Sequence, residues 1–285
     1  MDAMAPRTRK FKHEGHELVF DEYGKGDRPI VLMPGLLFNR KMHQPLAEAL
    51  AERGHRVLCL DLLGHGDSDR PEEMWEYSMT TFGAQTIGLL DHLDIDQAVL
   101  GGTSLGANSA LEAAARDQSR VKGLLIEMPV LDNALLGCAL AFTPLMVALT
   151  FGEPAMRALS AATRQVPRLP WALDFVLDTV RQDPRPSAAV LQGLFFGRTA
   201  PPREERRRIE TPALVIGHQH DMVHPFSDAG MLVSELPNGR LLQASSILEL
   251  RLSPERLTGE IAEFIDECWR PKPAARRKAA RRGAR

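Results

Sequence analysis

The 285-residue chain predicts an α/β fold, a doubly wound, mostly parallel sheet with helices on both faces. Three observations carry this. Short apolar segments alternate with helical ones from residue 16 to residue 128. Several of the apolar segments, such as RVLCLDL at 56–62, run without alternation, as strands covered on both faces do. The alternation resumes at residue 212 after about eighty helical and unusually apolar residues, so an insertion interrupts the sheet.

Taken in order, HELVFDEYG (16–24) and PIVLMPG (29–35) read as β segments with glycine between them, the first preceded by a hairpin holding His13 and His16. MHQPLAEALAER (42–53) has apolar residues at helical spacing and stops at Gly54. RVLCLDL is a buried strand and MTTFGAQTIGLLDHLD (79–94) a helix. QAVLGGT (97–103) is a strand that runs straight into a small-residue helix, LGANSALEAAAR (105–116), and VKGLLIEM (121–128) is the next strand. In the insertion, 135–152, 171–180 and 188–197 are helical, and prolines at 144, 154, 167, 170, 184 and 186 are expected to chop it into short pieces. The uncharged run 135–152 just reaches the length at which a membrane span is considered. It holds a proline and two glycines and has no companion span, so it reads as part of a helical lid over a lipophilic cavity. PALVIGH (212–218) and RLLQA (240–244) are strands, 226–235 a helix and 254–269 an amphipathic closing helix. The domain reading is a core over 1–129 and 212–270, a lid over 130–211 and a basic tail over 271–285.

Charge is divided unevenly. The chain has 35 Lys/Arg against 37 Asp/Glu, and seven of the basic residues stand in 271–285 without an acid. The tail reads as a solvated end with no dedicated partner, and no nucleic-acid partner is expected. Cys59, Cys138 and Cys268 are an odd, scattered set, which fits a reducing compartment and no metal site. No apolar N-terminal run of the secretory kind is present, and the expected location is cytoplasmic. There is no Gly-rich phosphate loop, and no cofactor is expected.

Four motifs carry the chemistry. Gly102-Thr103-Ser104-Leu105-Gly106 fits G-x-S-x-G, with a serine on a strained turn between strand and helix. MPG stands at 33–35, LLGHGDSDRP at 62–71 and GHQHDMVHP at 217–225. In this order they resemble the α/β-hydrolase family, over about residues 16–270 apart from the insertion. The resemblance implies an eight-stranded, mostly parallel sheet with an inserted helical lid. It also implies a Ser104 nucleophile, an acid at Asp221, and an oxyanion hole from the Leu36 and Leu105 amides. Pro34 replaces the histidine usual in the His-Gly pair of relatives. The Leu105 amide opens a helix, where an unpaired N–H and the helix dipole favour a developing anion.

The same resemblance implies a histidine between the last strand and last helix, and this chain lacks it. Its nine histidines are 13, 16, 43, 55, 65, 92, 218, 220 and 224. In QASSILELRLSPERL (243–257), counting back from Pro254-Glu255 puts Ser246 or Ile247 at the usual histidine position, and neither shuttles protons near neutral pH. Glu249 reads as a surface glutamate. His218, His220 and His224 follow the seventh strand, two strands from Ser104 if the family's order holds, a span of about 9–10 Å that a leaning loop can bridge. His224, three residues past Asp221, can bond to it and serve as base. His220, oriented by Glu127 as alternative acid, is the second candidate. His43 is placed near the pocket, His65 is structural in the Gly-rich turn, and His55 and His92 sit at helix ends.

The expected function is a serine hydrolase for an ester or thioester with an apolar acyl group and a non-standard triad. Two alternatives stay open: a non-catalytic binder of a small lipophilic ligand, and an acyltransferase. Ser104 argues against relatives that use a carboxylate nucleophile.

Overall fold

The computed structural model describes residues 6–219 and 221–270. His220 and the basic tail, both singled out above, lie outside the described residues. The strands are β1 (Arg7–His13), β2 (His16–Tyr23), β3 (Pro29–Met33), β4 (Arg56–Asp61), β5 (Ala98–Thr103), β6 (Val121–Glu127), β7 (Ala213–His218) and β8 (Gly239–Ala244). They form one eight-stranded sheet in the order β1-β2-β4-β3-β5-β6-β7-β8. β2 pairs antiparallel with both of its neighbours, and every other pairing is parallel.

Helices α1 (Gln44–Glu52), α2 (Met79–His92), α3 (Leu105–Arg116), α9 (Phe226–Glu235) and α11 (Glu255–Trp269) cover the two faces. Alternation along β3 shows why both faces need cover. Ile30 and Leu32 pack with Leu46, Leu50, Leu257 and Ile261 of α1 and α11. Val31 and Met33 face the opposite core, with Phe82 of α2 and Ala107 and Leu111 of α3. All four β3 residues are fully buried. At about 25 cal/mol per Å² of apolar surface removed from water, this two-sided burial is the main force holding the sheet.

Between β6 and β7 the chain makes α4 (Leu135–Phe151), α5 (Glu153–Arg164), α6 (Trp171–Val180), α7 (Pro184–Phe196) and the short α8 (Arg203–Arg206); α10 (Glu249–Leu252) follows β8. Prolines divide this region into short helices as expected, with Pro167 and Pro170 in the break before α6, except at Pro144. Pro144 lies inside α4, which continues through it. Pro154 and Pro184 stand in the first turns of α5 and α7, where no intrahelical N–H bond is forfeited. Asp228 of α9, fully buried, anchors the start of the insertion: its carboxylate accepts from the backbone N–H groups of Leu131 (2.7 Å), Asn133 (3.1 Å) and Ala134 (3.0 Å). Among the described residues no single helix is long and apolar enough to cross a membrane, and α4 and α5 meet at a 96° bend.

Candidate active site

The site stands at the C-terminal ends of β3, β5, β6 and β7. β5 ends at Thr103 and α3 begins at Leu105, leaving Ser104 to turn the chain at φ 55°, ψ −111°. A non-glycine residue at such angles is strained and needs support from its surroundings. One support is the Ser104 N–H, which donates to the Glu127 carbonyl of β6 at 2.9 Å. The other is the close approach of α3 to β3. A Cβ on Gly106 would lie 2.0 Å from the Met33 carbonyl oxygen, and one on Gly102 2.3 Å from the same atom. Only glycine fits at either position.

His224 Nε2 lies 2.9 Å from Ser104 Oγ, across 120 residues of sequence. Its Nδ1 lies 2.9 Å from Asp221 Oδ2. The other carboxylate oxygen of Asp221 accepts from the N–H groups of Val223 (2.8 Å) and His224 (3.0 Å). Asp221 therefore both builds the turn and orients the ring at its end. Burial alone would push the Asp221 carboxyl up, but these bonds to His224 and Val223 outweigh it and hold the group at about 2. The stability these bonds contribute is present above the ordinary carboxylate value of 3.8 and is lost as pH falls through 2.

The loop after β3 turns sharply, with Phe38 N–H donating to the Gly35 carbonyl at 3.0 Å and Leu37 at φ 62°. Leu36 and Leu105 both border the cavity beside Ser104, and among the described residues neither backbone N–H donates to another group. The insertion braces this loop: Gln182 Nε2 donates to the Leu37 carbonyl at 2.8 Å and Trp171 Nε1 to that of Lys41 at 2.7 Å. The cavity, about 720 Å³, runs from Ser104 under Phe142, Met146, Leu191 and Leu194 of the insertion.

The other candidate residues fall elsewhere. Glu127, buried at the end of β6, is engaged by Arg251 at 2.8 and 2.7 Å and by the Thr103 hydroxyl. Burial would raise its pKa, but Arg251, His218 and Thr103 hold it well below the ordinary carboxylate range. His218 points away from Ser104, with Nδ1 2.8 Å from the Ser246 carbonyl oxygen and Nε2 3.5 Å from Glu127 Oε1. Ile247 is 45% exposed. Glu249 is not the surface residue expected: it is buried because the turn after β8 closes on it, its Oε2 accepting from Ser245 N–H and Oγ (2.6 Å each) and Arg256 Nη2 (3.0 Å). Sequence reading missed Arg251 and Asp228, whose partners are all distant in the chain.

His43 also departs from expectation. It is buried away from the cavity, 2.8 Å from the Met33 carbonyl oxygen, and burial followed by the nearby charge of Arg251 lowers its pKa to about 4. His65, in the Gly-rich turn, is lowered to about 4 by burial, and its buried Nε2 has no partner among the described residues. Both begin from an ordinary 6.5, so between pH 6.5 and 4 the unfolded chain takes up protons that the folded one refuses. As pH falls through that window, each histidine is expected to cost the fold up to about 1.4 kcal/mol per pH unit, a few kcal/mol in all. Urea unfolding at pH 7.5 and pH 4.5 measures this, and His65→Asn is expected to show a shallower dependence.

Strand order, strained serine turn and site loops define a class, and the comparisons agree. The family model for the alpha/beta hydrolase fold matches residues 28–245, and the chain belongs to that family. It is similar to an AB hydrolase superfamily protein of Bacillus subtilis, 34% identical over 108 residues, or 38% of this chain and 39% of that protein. It is also similar to the dihydrolipoyllysine-residue acetyltransferase component of the acetoin cleaving system of Pseudomonas putida, 32% identical over 248 residues, or 80% of this chain and 61% of that protein. The chain thus spans less than two thirds of the length of either relative. Among solved structures, the enol-lactonase of Burkholderia xenovorans superposes with a TM-score of 0.74 at 24% identity, covering 90% of this chain and all of that one.

Proposed function

We propose that the protein is a serine hydrolase whose base has moved to the loop after β7. The observation that carries this is the continuous chain Asp221–His224–Ser104, with both contacts of the ring at 2.9 Å. In this reading Ser104 Oγ attacks the acyl carbonyl while His224 Nε2 takes its proton. Asp221 holds the ring and stabilises the imidazolium that forms. The Leu36 and Leu105 amides receive the negative oxygen, each such donor accounting for about 3–4 kcal/mol of transition-state stabilisation. His224 then protonates the leaving alcohol or thiol, and water, deprotonated by the same ring, releases the acid.

The apolar cavity under the insertion supports an ester or thioester with an apolar acyl group, and we read 130–211 as its lid. A second reading, acyl transfer to an acceptor other than water, is favoured by the relation to the Pseudomonas putida acetyltransferase component. Chromatography of products formed with and without an added alcohol or thiol separates the two.

A fluorophosphonate probe is expected to form one adduct, on Ser104, located by mass spectrometry of the digested protein. Ser104→Ala is expected to abolish it. An unlabelled wild-type protein at millimolar probe would sink the hydrolase reading and leave a ligand-binding role.

A further inference from the structure

Ser104 and His224 follow β5 and β7, which are separated in the sheet by β6. Their contact therefore depends on how three strand ends are held relative to one another. One buried cluster ties all three. Arg251, on α10 beyond β8, sends its guanidinium back across the sheet edge: Nη1 donates to Glu127 Oε1 (2.8 Å), and Nη2 to Glu127 Oε2 (2.7 Å) and Thr103 Oγ1 (2.8 Å). Thr103 ends β5 and immediately precedes Ser104. Glu127 ends β6, and its carbonyl accepts the Ser104 N–H. His218 ends β7, three residues before Asp221, with Nε2 beside Glu127 and Nδ1 at the Ser246 carbonyl. The side chains of Arg251, Glu127 and His218 are 8%, 3% and 0% exposed.

We propose that Arg251 is a positioning residue for the Ser104–His224 pair. The segment after β8 holds no histidine and supplies a guanidinium to these strand ends. A planar fork with fixed donors suits this task, since it grips both carboxylate oxygens and the threonine hydroxyl in one geometry. Arg251 does not border the cavity, and its guanidinium bonds go to Glu127 and Thr103 rather than to Ser104 Oγ. It acts through Thr103, which directly precedes the nucleophile, and through Glu127, whose carbonyl accepts the Ser104 N–H. This inference rests on the hydrolase reading above.

The test uses the full-length chain, p-nitrophenyl hexanoate as ester and the fluorophosphonate probe. If wild-type Ser104 is not labelled, the hydrolase reading itself has failed, whatever Arg251 does. Given labelling, Arg251→Met is expected to lower kcat about 100-fold, the cost of a displacement of about 1 Å at a reacting pair, with KM nearly unchanged. Arg251→Lys, which keeps the charge but loses the fork, is expected to recover about tenfold of this. The double variant Arg251→Met/Glu127→Leu removes both buried charges and is expected to regain the wild-type melting temperature, since such swaps often leave stability intact. Its kcat is expected to stay low. A single variant within threefold of wild type in kcat, or a double variant that regains kcat together with stability, overturns the proposal.

Discussion

Replacing His224 by alanine is expected to lower kcat for ester hydrolysis by about two to four orders of magnitude, the usual share of general acid–base catalysis. KM is expected to change little, because proton transfer is an interaction of the transition state rather than of bound substrate. The double variant Ser104→Ala/His224→Ala is expected to be no slower than either single one, since residues that act as a unit are not additive. Asp221→Asn separates orientation from mere presence. An amide keeps one acceptor for the Val223 and His224 N–H groups, yet it can turn its NH₂ toward Nδ1 and hold the wrong tautomer. Steady-state rates for these four proteins check the assignment. An undiminished rate in His224→Ala would remove it.

Gly106→Ala is expected to cost the fold heavily in stability. The new methyl would lie 2.0 Å from the Met33 carbonyl oxygen, 2.5 Å from the Met33 carbonyl carbon and 2.8 Å from the Pro34 oxygen. All three atoms are backbone, so no side-chain rotation relieves the clash. α3 must back away from β3, at a cost of about 3 kcal/mol or more. For a chain of this size that is a fall of roughly 6–10 °C in melting temperature. Activity is expected to fall further than stability, because the same movement displaces Ser104 and the Leu36 amide together. Gly259→Ala, in α11 with nothing within 4 Å of the added methyl, is the control. It is expected to be neutral or slightly stabilising, as alanine is the better helix former. Scanning calorimetry of the two variants checks the contrast.

Much of the fold was legible because it is written in local patterns. β3 and the centres of β4 and β7 are apolar runs, and their burial on both faces is what such runs require. The serine turn was legible for a similar reason, since a strand, a serine between glycines and a helix stand in direct succession. The insertion was harder to read. Pro154 and Pro184 stand in the first turns of α5 and α7, while Pro144 sits inside α4 without ending it, so residue type alone does not mark a helix boundary. Glu249 was misread because a carboxylate's burial depends on donors brought to it, here Ser245 and Arg256, rather than on its own polarity.

The sequence by itself pointed to the family and to the strand-serine-helix turn, and it holds no histidine after His224. It also pointed to the loop of His218, His220 and His224 for the candidate base, from the strand order that the resemblance implies. Which of them meets Ser104 is a matter of two or three ångströms across 120 residues, and no local pattern encodes a distance of that kind. The tertiary structure sets it through strand order, through the turn that Asp221 builds, and through a buried guanidinium from beyond β8. His224 points at the serine, while His218, six residues earlier and at the very end of its strand, turns away toward Glu127 and Ser246.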